Sequence, residues 1–129
     1  MIDRQTERII AAAIEVHRHL GPGLLESAYV ECLVRELTIR GIPFQREVPL
    51  PVRYRGVLVD VRYKLDLLVY GDVVVECKSV ERLAGVHKAQ VLTYLRLGEW
   101  SRGLLINFNC AQLVDGVRRV VNRWSPPGS

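Results

Sequence analysis

The sequence predicts an α/β fold in which a mixed β-sheet is flanked by helices. Three observations lead there. Apolar residues recur at helical spacing up to residue 40, strand-like alternation takes over after Pro43, and a further helical stretch separates two of the later strands. A three-strand meander, then a crossover helix and a returning strand, requires parallel as well as antiparallel pairing under a cover of helices.

The elements follow in the order α-α-β-β-β-α-β-β. Asp3 to Leu20 reads as a helix with the apolar side Ile10, Ala13, Ile14 and Leu20, stopped by Gly21-Pro22. Leu24 to Arg40 reads as a second helix with the stripe Leu25, Ala28, Tyr29, Cys32, Leu33 and Leu37, and Gly41 stops it. FQREVPLPVRY (44 to 54) is a strand whose Pro49 and Pro51 cannot donate to a ladder, which places it at an edge. Arg55-Gly56 is a turn, and VLVDVRYKLDLLVY (57 to 70) is the second strand. VVVECKSV (73 to 80) is the third. Leu83 to Leu97 is helical and closed by Gly98, RGLLINF (102 to 108) is a continuously apolar strand, and VDGVRRVV ends the order with Asp115-Gly116 as its turn.

A chain of 129 residues suits one domain, placed at residues 1 to 124, with the tail SPPGS (125 to 129) expected to be disordered. Hydrophobic residues at 49% and charged residues at 25% are those of an ordinary soluble globular protein. A net charge of +4 is compatible with a polyanionic partner without demonstrating one. Cys32, Cys77 and Cys110 are odd in number and widely spaced, which argues against a disulfide framework and for a reducing compartment. No Cys/His zinc spacing, no membrane-length apolar run and no leader-like apolar start is present, so the expectation is a cytoplasmic protein without a membrane partner.

The chemistry lies in polar residues that do not fit a core. Glu76 and Lys78 alternate at the end of a valine strand and so share a face. Asp66 interrupts the leucines of the preceding strand, where an unpaired carboxylate is costly. A two-residue turn at Gly71-Asp72 would set Asp66 opposite Cys77. A three-residue loop from Tyr70 to Asp72 pairs Val69 with Val73 and sets Asp66 opposite Glu76, and this register is the one expected. The two carboxylates would then stand about 5 Å apart at Cβ level, repelling unless one is protonated or a cation neutralises them. Such oxygen donors suit Mg²⁺ or Mn²⁺, with water and phosphate completing the shell, and a nearby Lys can orient or deprotonate water. That is the minimum for phosphodiester hydrolysis. The alternative is a solvated or structural ion pair.

On the later helix, His87, Gln90 and Tyr94 share a face that could return over the carboxylates. His87 reads better as an ordinary surface residue, Gln90 and Tyr94 as site residues. Glu26, one turn before Tyr29 and bordering its helix's apolar stripe, is the remaining acid of interest. By itself it reads as a first-turn Glu favoured by the helix dipole.

Gly23-x-x-Glu26-x-x-Tyr29, Asp66, Glu76-x-Lys78, His87, Gln90-x-x-x-Tyr94 and the strand LLINF together resemble the GxxExxY protein family, over about residues 5 to 121. That family resembles the PD-(D/E)XK nucleases. The resemblance implies a restriction-endonuclease-like α-β-β-β-α-β core with an extra N-terminal helix and a C-terminal strand. It puts Asp66 in the place of the motif Asp, Glu76 and Lys78 in the (D/E)xK places, and Glu26 in that of the helical acid near the metal. Gln90 and Tyr94 match a QxxxY element, and the backbone carbonyl of Cys77 is implied as a further metal ligand. Leu65 stands where the motif's Pro would be, and only nine residues separate Asp66 from Glu76.

The function expected is metal-dependent hydrolysis of DNA or RNA. Glu26, Asp66 and Glu76 would hold Mg²⁺ or Mn²⁺, and Lys78 would position water. Arg46, Arg53, Arg55, Arg62 and Lys64 are candidate contacts to the nucleic-acid backbone. The alternative is a non-catalytic module that binds nucleic acid or a protein on the same fold. A homodimer through an exposed sheet edge is a further option.

Overall fold

A computed structural model describes residues 3–122, apart from the side chains of residues 60–62. The tail 125–129 lies outside the described residues. The first helix, α1 (Arg4–Leu20), starts where Asp3 caps it: the Asp3 carboxylate accepts from the backbone N–H groups of Gln5 and Thr6 at 3.0 and 3.4 Å. Gly21, at φ 67°, ends it as expected by returning its N–H to His17. The apolar side differs from the expected one. Ile9, Ala12, Ala13 and Val16 are buried, whereas Ile14 and Leu20 are exposed. The charged residues Arg4, Glu7, Arg8, Glu15 and Arg18 gather on the opposite side, so the full periodicity, with Ile9 and Val16 included, points to the buried face. The small Ala12 and Ala13 are on the side that packs into the core.

The second helix, α2 (Glu26–Ile39), buries Tyr29, Leu33 and Leu37 as expected. It begins later than the sequence suggests. Leu25 precedes the helix and is 77% exposed, so it is not part of the stripe.

The strands are β1 (Phe44–Tyr54), β2 (Val57–Val69), β3 (Val73–Lys78), β4 (Arg102–Asn107) and β5 (Val117–Val121), with α3 (Gly85–Gly98) joining β3 to β4. They lie side by side in the order β1-β2-β3-β4-β5. Every adjacent pair is antiparallel except β3–β4, which is parallel, so the sheet is mixed. The proline-bearing β1 is an edge strand, and its register shifts between Leu50 and Val52, around Pro51. A short 3₁₀ turn, Leu113–Gly116, replaces the start of the expected last strand.

The turn between β2 and β3 decides the register. Val69 pairs with Val73, Leu68 with Val74 and Leu67 with Val75. Tyr70 and Gly71 both take positive φ (58° and 68°), and the Asp72 N–H closes on the Val69 carbonyl at 3.2 Å. This is the expected three-residue loop.

Two cores sandwich the sheet. One, under α1 and α2, holds Leu67, Val69, Val75, Cys77, Leu104 and Ile106, with Tyr29 stacked on Phe108 at 4.5 Å between ring centroids. The other, under α3, holds Leu65, Leu68, Val74, Val91, Tyr94 and Leu105. Gly103 lets α3 approach closely, since a Cβ there would come within 3.0 Å of both the Val74 carbonyl and Val91.

One irregularity positions the site. Leu67 and Val69 face the α1–α2 core, yet Leu65 faces the α3 core, so strict alternation fails at Asp66. Across the ladder, Phe44 packs with the first core and Val48 with the second, and Glu47 between them has φ 50°. The β1–β2 ribbon therefore rolls over between the pairs Arg46↔Leu67 and Val48↔Leu65. Asp66 sits at the rollover.

Candidate active site at the fork of two strands

Regular pairing of β2 with β3 ends at Leu67↔Val75. One step further, side chains replace the ladder. The Asp66 N–H donates to Glu76 Oε1 at 3.0 Å, and the Cys77 N–H donates to Asp66 Oδ2 at 3.0 Å. Each carboxylate thus takes an N–H that a strand carbonyl would otherwise accept. The sheet forks, and Asp66 and Glu76 fill the fork together.

Glu76 is 5% exposed. Burial, and then the charge of Asp66, push its carboxyl up to about 8 from an ordinary 4.5, while Lys78 pulls it down. Lys78 is half-buried, follows Glu76 by two residues on the same strand face, and forms no ion pair among the described residues. The Cys77 thiol points the other way, into the α1–α2 core. There burial, Asp66 and Glu76 raise its pKa well above the usual value, so the sulfur is a neutral packing group.

Helix α3 brings Tyr94 over this face. Tyr94 is buried in the α3 core and is hydrogen-bonded to Gln90. Burial raises its hydroxyl, and so do the charges of Glu76 and Tyr63, which places all three groups in one electrostatic neighbourhood. His87 serves the helix instead: its Nδ1 accepts from the Ala84 N–H at 2.9 Å.

Glu26 is exposed at the first turn of α2, and its charge reaches Cys77, next to Glu76. It shares a cleft of about 330 Å³ with Asp66, lined also by Ser27, Val30, Glu31, Arg46 and Glu47. Asp66 is therefore the member common to both groupings. Among the described residues no three His, Cys, Asp or Glu side chains converge closely enough to hold a metal ion. Of the candidate backbone contacts, Arg46 is engaged by Glu31, while Arg53, Arg55 and Lys64 form no ion pair among the described residues. The Arg62 side chain lies outside the described ones.

Two supporting residues, Asn107 and Ser79, escaped the sequence reading, and a third, Tyr29, enters it only as a stripe and motif residue. Asn107, buried at the end of β4, accepts from the Val80 and Asn109 N–H groups and donates to the Val80 carbonyl at 2.9 Å. It clamps the chain just after Lys78. Ser79 donates to the Leu24 carbonyl at 2.6 Å, joining the exit of β3 to the loop before Glu26. The Tyr29 hydroxyl secures that same loop, donating to the Gly21 carbonyl at 2.6 Å and accepting from the Leu24 N–H at 3.1 Å. An Asn ending an apolar strand was the available signal for the first of these. Nothing in the sequence marked Ser79, and Tyr29 was marked by its stripe and by Gly23-x-x-Glu26-x-x-Tyr29 but not as a brace of this loop. Tyr29→Phe is expected to destabilise the protein by about 1–3 kcal/mol, because it removes two part-buried hydrogen bonds of this loop. Urea denaturation checks it, and a change below a few tenths of a kcal/mol contradicts it.

Among the described residues no helix is long and apolar enough to cross a membrane. The family described as the PD-(D/E)XK nuclease superfamily matches residues 3–120. The crystal structure of SSO0001 is similar in fold, with a TM-score of 0.53 at 15% identity, over 93% of this chain and 78% of that one. No curated protein matches the sequence. The family match spans every helix and strand described above up to β5 and includes the forked carboxylates, Lys78 and the α3 pair. The chain belongs to the PD-(D/E)XK nuclease superfamily.

Proposed function

We propose that the protein is a metal-dependent nuclease of the GxxExxY kind, hydrolysing phosphodiester bonds of DNA or RNA in the cytoplasm. The observation that carries this reading is the fork. Asp66 and Glu76 are held together against their mutual repulsion, with Lys78, which forms no ion pair among the described residues, one step along the same strand. A purely structural charge cluster would pair Lys78 with one of the carboxylates.

The donor set fits a hard divalent cation. Two carboxylates meet at one point, a third acid shares the cleft of the first, and burial together with the Asp66 charge raises the Glu76 carboxyl, a cost that a bound cation would offset. Mg²⁺ or Mn²⁺ would be held by Asp66 and Glu76, with Glu26 and the Cys77 carbonyl as further ligands. When bound, the ion supplies charge stabilisation and polarises a phosphate oxygen. Lys78 holds the attacking water, and Gln90 and Tyr94 keep Lys78 and the phosphate aligned. Asn107 positions the chain after Lys78.

A second reading is favoured by one observation: no three acidic side chains converge among the described residues. On that reading the fold binds nucleic acid or a protein without cutting. Calorimetric titration with Mn²⁺ and Mg²⁺, followed by assays on single- and double-stranded DNA and RNA, separates the two. Metal binding with cleavage of at least one substrate is the expected result. Failure to bind at millimolar cation removes the nuclease reading, and binding without cleavage of any substrate favours the second.

A further inference from the structure

The β1–β2 hairpin carries features that the fork does not use. Beyond the pair Leu50↔Tyr63 it continues to a tight turn at Arg55-Gly56, both at positive φ (51° and 82°), where Tyr54 faces Val57 across the ladder. This distal part leaves Tyr54, Val57 and Leu58 more than half exposed, and Tyr63 is 48% exposed. Between residues 53 and 64 the sequence has four basic residues against one acid, Asp60. Arg53, Arg55 and Lys64 form no ion pair among the described residues.

Exposed rings at strand positions that alternate with cations free of ion pairs among the described residues fit a partner with both flat apolar faces and negative charge. Pairing of β1 with a second copy is opposed by Pro49 and Pro51, which offer no N–H, and by the register shift between Leu50 and Val52. A nucleic-acid duplex satisfies the charges but keeps its base faces stacked inside. A single strand supplies both, since unstacked bases lie on aromatic rings while phosphates meet cations. The arm also adjoins the fork. Tyr63 pairs with Leu50, which lies in the same core as Leu65 and Tyr94.

Resting on the nuclease reading above, we propose that this arm holds single-stranded nucleic acid, stacking bases on Tyr54 and Tyr63 and contacting phosphates through Arg53, Arg55 and Lys64. It delivers that strand to Asp66 and Glu76.

The test uses the full chain in EDTA, with a fluorescein-labelled single-stranded oligonucleotide and the duplex of the same sequence, read by anisotropy. The single strand binds more tightly than the duplex. Tyr54→Ala and Tyr63→Ala each weaken single-strand binding roughly tenfold, and Tyr54→Phe and Tyr63→Phe retain it. Arg53→Ala weakens both forms and flattens the salt dependence. Both tyrosines are exposed, so the melting temperatures of the variants should match wild type. Unchanged binding by the Ala variants, a preference for duplex, a dimer that dissociates on Tyr54→Ala, or tighter binding of an acidic Glu/Leu peptide overturns the proposal. Because this assay contains no divalent cation, single-strand binding through the arm without Mg²⁺-dependent cleavage leaves the arm standing and removes the nuclease. Cleavage with arm variants that bind normally does the reverse.

Discussion

Glu76→Gln will make the metal-free protein more stable at about pH 9 and will abolish the stability that Mg²⁺ or Mn²⁺ adds to the wild type. Burial and the neighbouring Asp66 hold the Glu76 carboxyl at about 8 in the folded chain, against an ordinary 4.5. Between those two values the folded state binds more protons than the unfolded one, so stability falls as pH rises through that window. The contribution is fully present below the lower value and lost above the upper. The expected loss is on the order of 2–4 kcal/mol. Glu15 works in the opposite sense and elsewhere: Arg18 and His19 hold its carboxyl down at about 2, so its effect is lost only as pH falls toward that value. Of the groups with shifted pKa, Glu76 is the one that spans the window between its ordinary 4.5 and about 8; Cys77, Cys110 and Tyr94 are raised as well, but from 9.0 or 10.0.

A Gln at 76 keeps an oxygen to accept the Asp66 N–H but carries no charge to desolvate. Urea denaturation in EDTA should show the variant and the wild type alike near pH 5 and the variant ahead near pH 9. Adding millimolar Mn²⁺ at about pH 9 should stabilise the wild type by mass action and leave the variant unmoved. A variant less stable than wild type at both pH values, or one stabilised by Mn²⁺ as wild type is, contradicts the assignment of Glu76.

Lys78→Met will lower cleavage by about 10²–10⁴-fold while leaving metal-induced stabilisation nearly intact. The ammonium is half-buried and forms no ion pair among the described residues, and the Asn107 clamp on Val80 fixes the chain immediately after it. Because Lys78 also pulls the Glu76 carboxyl down, its loss should raise the pH at which metal binds. Lys78→Arg distinguishes charge from position. A guanidinium restores the charge and the pH of metal binding, but its planar, longer head does not reproduce the contact with water or phosphate. A Met variant that cuts as fast as wild type removes Lys78 from the chemistry. Full recovery by Arg reduces its role to electrostatics alone.

The register was legible because three features agreed. The run Val73–Val75 had to be buried, Gly71 marked a turn, and Asp66 was tolerable only with company. Alternation then predicted which residues stand opposite one another, and Val69↔Val73 is observed. Alternation could not reveal that pairing stops at Leu67↔Val75 and that two carboxylates take over the N–H groups. A pattern of faces assumes the ladder continues. The rollover at Glu47 and Asp66, which turns Leu65 toward α3, is invisible for the same reason.

The helices show a different limit. The apolar side expected for α1, Ile10, Ala13, Ile14 and Leu20, differs from the buried set Ile9, Ala12, Ala13 and Val16. That set lies opposite the charged residues Arg4, Glu7, Arg8, Glu15 and Arg18, so the periodicity of the whole helix was the better guide. Gln90 and Tyr94 were predictable as a face of α3, and the structure brings Tyr94 near Glu76. Glu26 was predictable as an acid at the head of α2, yet its placement in one cleft with Asp66 required the helix to be docked.

By itself the sequence determined the order of elements, the edge position of β1, the register of the central hairpin and the identity of the charged residues that belong to no core. These follow from local rules: turn chemistry, period and the cost of an unpaired buried charge. Only the tertiary structure decided where the sheet forks, how Asn107, Ser79 and Tyr29 brace the loops around Lys78 and Glu26, and which carboxylates share a space. Those depend on contacts between residues distant in sequence, as with Ser79 on Leu24 and Asn107 on Val80, for which no local pattern exists.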